Sequence, residues 1–139
     1  MAVFQLDPIL SADTHTIGDI GLCRLLLMDD SRFPWLICVP RRPDISEIHQ
    51  LTPLDQTVLN FEVTQISEML QDLTKCTKIN VGALGNLVRQ LHIHVIARNE
   101  GDAAWPGPVW GAGERLSYAP GEVEAFNARF TELLTNASI

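Results

Sequence analysis

The sequence predicts an α+β fold: an antiparallel sheet with one long helix packed on it and a C-terminal helix. Three observations carry this expectation. Two apolar runs separated by turn residues read as a strand pair, an apolar stripe over about residues 53 to 74 reads as an amphipathic helix, and a later run alternates in the two-residue rhythm of a strand.

The strand pair is "LCRLLLMDD" (Leu22 to Asp30) and "WLICVP" (Trp35 to Pro40), joined through "DDSRFP", which predicts an antiparallel hairpin. After "RRPD", Thr52 is placed to cap a helix, Pro53 suits its first position and Asp55 completes a capping-box variant. Leu59, Val63, Ile66, Leu70 and Leu73 follow at steps of four and three, giving the helix one face to bury. "KINVGALGN" begins as a short strand and opens into a loop with Gly82, Gly85 and Asn86, where missing side chains let backbone N–H groups approach a ligand. "RQLHIHVIAR" is the next strand. The loop "GDAAWPGPVWGAGE" is rich in Gly and Pro and holds Trp105 and Trp110, read as packing anchors or as a cover for a nucleobase or a partner's site. A final helix near residues 120 to 135 starts at Pro120 and spaces Val123, Phe126, Phe130 and Leu133 helically.

With 139 residues, 46% of them hydrophobic and 19% charged, the chain suits one domain over residues 1–139. A formal net charge of -7, with Arg41 and Arg42 the only adjacent basic pair, argues against nucleic acid as a partner. No apolar run reaches membrane-spanning length, and "MAVFQLDPILSAD" lacks the pattern of an export signal. Cys23, Cys38 and Cys76 are odd in number and form no C-x-x-C pair, so a reduced cytoplasmic protein is expected, with Cys23 and Cys38 packing in the core.

His92 and His94 raise the functional question. On a strand Leu91, Ile93 and Val95 face one way and Gln90, His92 and His94 the other, which puts the imidazoles about 7 Å apart along the chain. Three readings fit that spacing. The histidines are surface residues of a solvated sheet face, or they chelate a metal with a third ligand from afar, or one neutral imidazole attacks phosphorus while neighbouring groups hold the phosphate oxygens. The amide-presenting loop just ahead of the strand favours the last. His15 and His49 have no partner pattern and read as surface or capping residues.

"QLHIHVI", Gln90 to Ile96, resembles the histidine triad motif, with glutamine in place of the first histidine. The order of strand pair, long helix, strand with Gly-Asn loop and motif strand extends the resemblance over most of the chain. "ALGNLVRQLHIHVIAR" with the downstream "AWPGPVWG" is similar to a bacterial branch of histidine triad proteins. The resemblance implies a histidine-triad-like α+β domain, a homodimer joined through its middle helices and adjacent strands, and a purine nucleotide or nucleotide conjugate as partner, with no cofactor and no metal. It implies a hydrolase or transferase in which His92 attacks the α-phosphate and forms a nucleotidyl-histidine intermediate, His94 contacts phosphate oxygens, and Gln90 completes the catalytic set. Gly85 and Asn86 match the phosphate-holding loop. Asp29, or Asp30 beside it, matches the acidic residue on the ribose hydroxyls, and Asn80 and Arg98 complete the substrate-binding candidates, Arg98 being equally readable as a solvated strand end. Leu87 stands where many members carry serine or threonine, which removes a hydroxyl donor. Glutamine at 90 keeps hydrogen bonding but cannot change charge near neutral pH, so Gln90→His is expected to retain or raise the rate. The alternative is a non-catalytic nucleotide-binding or interaction protein of the same fold.

Overall fold

The computed structural model describes residues 2–137. In chain order its elements are α1 (Pro8–Asp13), β1 (Thr14–Asp19), β2 (Cys23–Met28), β3 (Trp35–Pro40), α2 (Pro53–Thr74), β4 (Lys78–Gly82), β5 (Ile93–Arg98) and α3 (Glu122–Asn136). All paired strands are antiparallel, in the order β1-β2-β3-β5-β4. The α+β expectation therefore holds, and so does the hairpin: Leu25 pairs with Cys38 and Leu26 with Ile37.

The long helix forms where its capping signals place it. Thr52 Oγ1 accepts the N–H of Asp55 at 3.1 Å, satisfying one of the donors a helix start leaves open. The capping box is not completed, because both Asp55 carboxylate oxygens accept from the Arg42 guanidinium instead. Lys75, in the left-handed region at φ 56°, ends the helix. Its apolar stripe packs Leu59, Ile66 and Leu70 onto one sheet face, against Leu25, Leu36, Cys38 and Val95. On the same stripe Glu62 is buried, its two oxygens accepting the N–H groups of Leu22 and Cys23 at 2.7 and 2.9 Å. That carboxylate fastens the β1–β2 turn to the helix. The C-terminal helix adds Phe130 and Leu134 to this core, but it begins at Glu122 rather than at Pro120. Gly121 adopts φ 89° as its N-cap, a conformation that suits glycine, and Pro120 lies outside.

Cys23 and Cys38 lie in this first core as expected, and the three cysteines are free and buried. Burial raises both thiols well above the ordinary range, Cys38 to about 12, so they pack as small apolar groups.

The opposite sheet face is not solvated. Leu26, Trp35, Ile37, Val39 and Ile96 form a second core with Leu10, Phe33, Val88 and Val109, supplied by α1, by the β2–β3 turn and by the loops flanking the motif. Every residue of β3 and of β5 is buried. An unbroken apolar strand such as "WLICV" needs cover on both faces, and this second layer provides it.

Candidate active site

The strand β5 begins only at Ile93, later than the sequence indicates, so Leu91 and His92 lie just ahead of it, but the expected alternation persists from Leu91 to Val95. Leu91, Ile93 and Val95 enter the helix-side core, whereas His92 and His94 lie on the other face, 7% and 5% exposed. They sit at the base of a cleft of about 530 Å³ that the second layer leaves open, walled by α1, the Gly85–Val88 loop and the segment around Trp110. The ring centroids are 4.9 Å apart in an edge-to-face arrangement.

Hydrogen bonds fix each imidazole in a different tautomer. His92 Nδ1 lies 2.6 Å from the carbonyl oxygen of Gln90. A carbonyl only accepts, so Nδ1 carries the proton and Nε2 keeps its lone pair. The indole N–H of Trp35 donates to His94 Nδ1 at 2.9 Å. An indole nitrogen only donates, so neutral His94 carries its proton on Nε2. One ring thus offers a nucleophile and the other a donor. Trp35 and Trp110 also pack on His94, with centroids 5.6 and 5.2 Å away. Burial first, and the neighbouring His92 second, push the His94 pKa down to about 3, which keeps it a neutral donor throughout the physiological range.

This depressed value has a consequence for stability. Unfolded His94 titrates near the ordinary histidine value, about 6.5, whereas the folded protein refuses the proton until about pH 3. Between those limits the unfolded chain binds more protons, so stability falls as pH drops through the window. We expect the unfolding free energy from urea titration to decline from pH 6.5 to 5, before most carboxylates titrate, and the decline to be shallower in His94→Asn by about 1 kcal/mol per pH unit. Equal pH slopes in the two proteins would show that His94 is not buried neutral.

The other sequence candidates divide. Gly85, at φ 71°, and the exposed Asn86 line the cleft beside the histidines. Asp30, not Asp29, reaches it. Asp29 instead lies 3.2 Å from His15 Nε2 and accepts the Tyr118 N–H. Asp30 is 1% exposed, and its oxygens take the Arg32 guanidinium at 3.0 and 2.8 Å. Burial draws its carboxyl upward, but the bonds from Arg32 and from the Leu116 N–H outweigh that and hold it below the usual range. Gln90 does not line the cleft; it lies across His92 in a smaller recess of about 230 Å³ with His49, and its amide binds the backbone of Gln5 and Asp7. Asn80 and Arg98 are bonded to each other, at 2.9 Å, and neither lines the cleft. Arg98 is 1% exposed and paired with Asp102, so the solvated strand-end reading is corrected: the cationic end lies inside the second layer. The two loop tryptophans part company, Trp105 lying over Arg98 and Trp110 over His94 in the cleft wall.

Sequence reasoning missed Trp35, Arg32 and α1 as parts of the site. Trp35 pairs with Ile96 across β3 and β5, which fixes it on the histidine face. No local pattern reveals that register. The signal for α1 was present, since Asp7 before Pro8 is a helix-start pair and Asp7 Oδ1 accepts the Ile9 N–H at 2.8 Å.

The cleft offers an imidazole nitrogen with a free lone pair on His92 and an N–H donor on His94, but little that could protonate a departing group. None of the described residues lining it is Ser, Thr, Tyr, Lys or Cys. Asp30 is held ionised, His94 is held neutral, and Asp13 is ion-paired with Arg115. Leu87, 93% exposed, and Leu84 and Ile9, each about half exposed, make its mouth apolar. Among the described residues, no group of three or more His, Cys, Asp or Glu side chains is gathered that could hold a metal ion.

Residues 10–101 match the model of the HIT domain family. Among solved structures, the chain is similar to a histidine triad (HIT) protein from Sinorhizobium meliloti 1021, with 53% identity, 93% of this chain and 96% of that chain covered, and a TM-score of 0.91. It is also similar to a histidine triad protein from Bradyrhizobium japonicum, at 45% identity, coverage of 94% and 98%, and a TM-score of 0.92. A histidine triad protein from Marinobacter aquaeolei VT8 is 44% identical, with coverage of 97% and 98% and a TM-score of 0.94. No curated protein matches the chain significantly.

Proposed function

The chain belongs to the HIT domain family, whose members are generally nucleotide-binding hydrolases and transferases, and we propose that it works as one at the α-phosphate of a nucleotide conjugate, with His92 as nucleophile. The observation that carries this reading is the opposed pair of tautomers. The Nε2 lone pair of His92 attacks phosphorus, and the bond to the leaving group breaks with its electrons going to that group. Positive charge develops on the His92 ring in this step, and the Gln90 carbonyl at 2.6 Å is already accepting from Nδ1–H. The Nε2–H of His94 and the backbone at Gly85 and Asn86 serve the phosphate oxygens. Water or another acceptor then attacks phosphorus, the N–P bond breaks, and the acceptor's proton passes to solvent.

Homodimerisation is part of the proposal. Support comes from β4, an edge strand with Val81 51% exposed, and from Phe61, 60% exposed on the outer part of α2. The partner is read as a purine nucleotide or its conjugate and the setting as the cytoplasm, the latter supported by three free cysteines. No helix of the described residues is long and apolar enough to cross a membrane. The exposed Leu87 and the lack of a hydroxyl among the described residues lining the cleft favour a second reading, a nucleotide-binding protein without turnover.

Leaving-group chemistry tests both readings. General acid catalysis is worth about 10²–10⁴ in rate, and this cleft offers little of it. Purified protein should bind adenosine or guanosine monophosphate by calorimetry. It should also cleave adenosine 5′-phosphoryl conjugates of acidic leaving groups at least about a hundredfold faster than those of alkylamines. Leu87→Ser should raise the rate mainly on the poorer leaving groups. Binding without turnover of any conjugate selects the second reading; no heat with either nucleotide at millimolar concentration sinks both.

A further inference from the structure

We propose that Gln90 is a positioning residue: its side-chain amide ties the N-terminal arm, and with it the α1 wall of the cleft, to the residue whose carbonyl orients His92. Both ends of the amide are engaged in doing so. Its oxygen accepts the Asp7 N–H at 2.8 Å and its nitrogen donates to the Gln5 carbonyl at 2.8 Å, contacts that span 83 and 85 residues of sequence. Residues 2–7 belong to no helix or strand, so these bonds stand where sheet pairing would otherwise hold the backbone.

The clamp passes directly into the cleft. Asp7 caps α1 through its carboxylate, and α1 is six residues long, too short to persist without such anchoring. Leu10, 4% exposed, packs into the second core, while Ile9, Leu10 and Asp13 form one wall of the cleft. Meanwhile the main-chain carbonyl of Gln90 receives the Nδ1–H of His92. One residue therefore sets both the nucleophile's tautomer and the wall facing it.

An amide suits this task for a geometric reason. It presents a donor and an acceptor side by side in one plane, matching a backbone N–H and C=O two residues apart. A neutral imidazole also has one of each, but at positions of a rigid ring that face different directions, and a carboxylate has no donor. Gln90→His is therefore expected to release the arm, and its cost falls on KM and Kd rather than on kcat.

The inference rests on the proposed nucleotide chemistry for its kinetic readout, though not for its structural one. In the full chain, Gln90→Ala and Gln90→His should each raise KM for a nucleotide conjugate and Kd for adenosine monophosphate about tenfold, with kcat within about threefold of wild type. Amide hydrogen exchange at Asp7 and through α1 should quicken in both variants. Gln90→Glu, which keeps the acceptor and loses the donor, should fall between them and wild type, and it serves if the alanine variant folds poorly. A kcat lowered a hundredfold with KM unchanged would place the side chain in the chemistry and overturn the proposal. Unchanged exchange in residues 5–13 would overturn it as well. If wild type turns over no substrate, the proposed function fails, while exchange and affinity for adenosine monophosphate still decide the clamp.

Discussion

Replacing His92 with alanine is expected to lower turnover by several orders of magnitude while nucleotide binding largely persists. The reason is the division of labour between the two rings. In the proposed mechanism the lone pair that attacks phosphorus belongs to His92 Nε2, and it is available there because Nδ1–H is committed to the Gln90 carbonyl. The donors proposed to serve the phosphate lie elsewhere, on His94 and on the Gly85–Asn86 backbone, and the other residues of the cleft wall are untouched. His92→Asn keeps a polar side chain of similar reach without a nucleophilic ring nitrogen, so it should fold and be equally inactive. Rapid quench of wild type with substrate, followed by intact-mass spectrometry, should reveal a nucleotide-sized adduct that both variants lack. Turnover undiminished in His92→Ala would refute the assignment of the nucleophile, because covalent catalysis does not survive loss of its attacking atom.

Much of the scaffold beneath this site was legible because its signals are local. Thr52, Pro53 and a stripe repeating from Leu59 to Leu70 bound a helix without reference to anything distant, and the helix runs Pro53–Thr74. The alternation of Leu91, Ile93 and Val95 with His92 and His94 follows from strand geometry alone. β1 was missed because its signal is faint. "THTIGD" is a partly exposed edge strand, and an irregularity between Thr16 and Gly18 breaks its two-residue rhythm. The second layer was missed for the opposite reason: the uninterrupted apolar run of β3 announced burial on both faces, and the solvated-face reading did not use it.

The site's side chains were legible only as far as their own strand. His92 and His94 could be paired from sequence because a single residue, Ile93, separates them. The partner of His94, Trp35, is set by the β3–β5 register, and the partners of Gln90 by an arm 83 and 85 residues away. Adjacent aspartates are harder still, since Asp29 and Asp30 differ in the face their strand end presents. The resemblance to the histidine triad pattern supplied residue types for the site, but geometry decides what each does. Gln90 matches a triad position yet binds a backbone arm, and Asp30 lines the cleft with its oxygens already engaged by Arg32.

Arg98 is where geometry departs furthest from the sequence reading, and its replacement should produce the largest loss of stability. A phosphate contact would have to be exposed to ligand, but this guanidinium is enclosed. Its Nε and Nη2 donate to the two oxygens of Asp102 at 2.8 and 2.9 Å, and Nη1 donates to Asn80 Oδ1 at 2.9 Å. The rings of Phe33 and Trp105 lie 5.3 and 5.9 Å from its centre. The first effect of the pairing falls on Asp102, whose carboxyl Arg98 holds well below the usual range while the N–H groups of Asn99 and Ala104 add to the hold. Arg98→Ala removes the fork and leaves a mostly buried carboxylate facing a void where the cation stood. Breaking a buried pair from one side costs about 3–5 kcal/mol, and urea titration should register a loss of that order. Arg98→Lys should recover only part of it, because an ammonium cannot reproduce two parallel bonds to one carboxylate. The double replacement Arg98→Met with Asp102→Leu should be milder than Arg98→Ala, since it leaves no uncompensated charge. Under conditions where Arg98→Ala remains folded, affinity for adenosine monophosphate should stay close to wild type. An unchanged urea midpoint with nucleotide binding weakened tenfold would restore Arg98 to the phosphate and undo this account of the second layer.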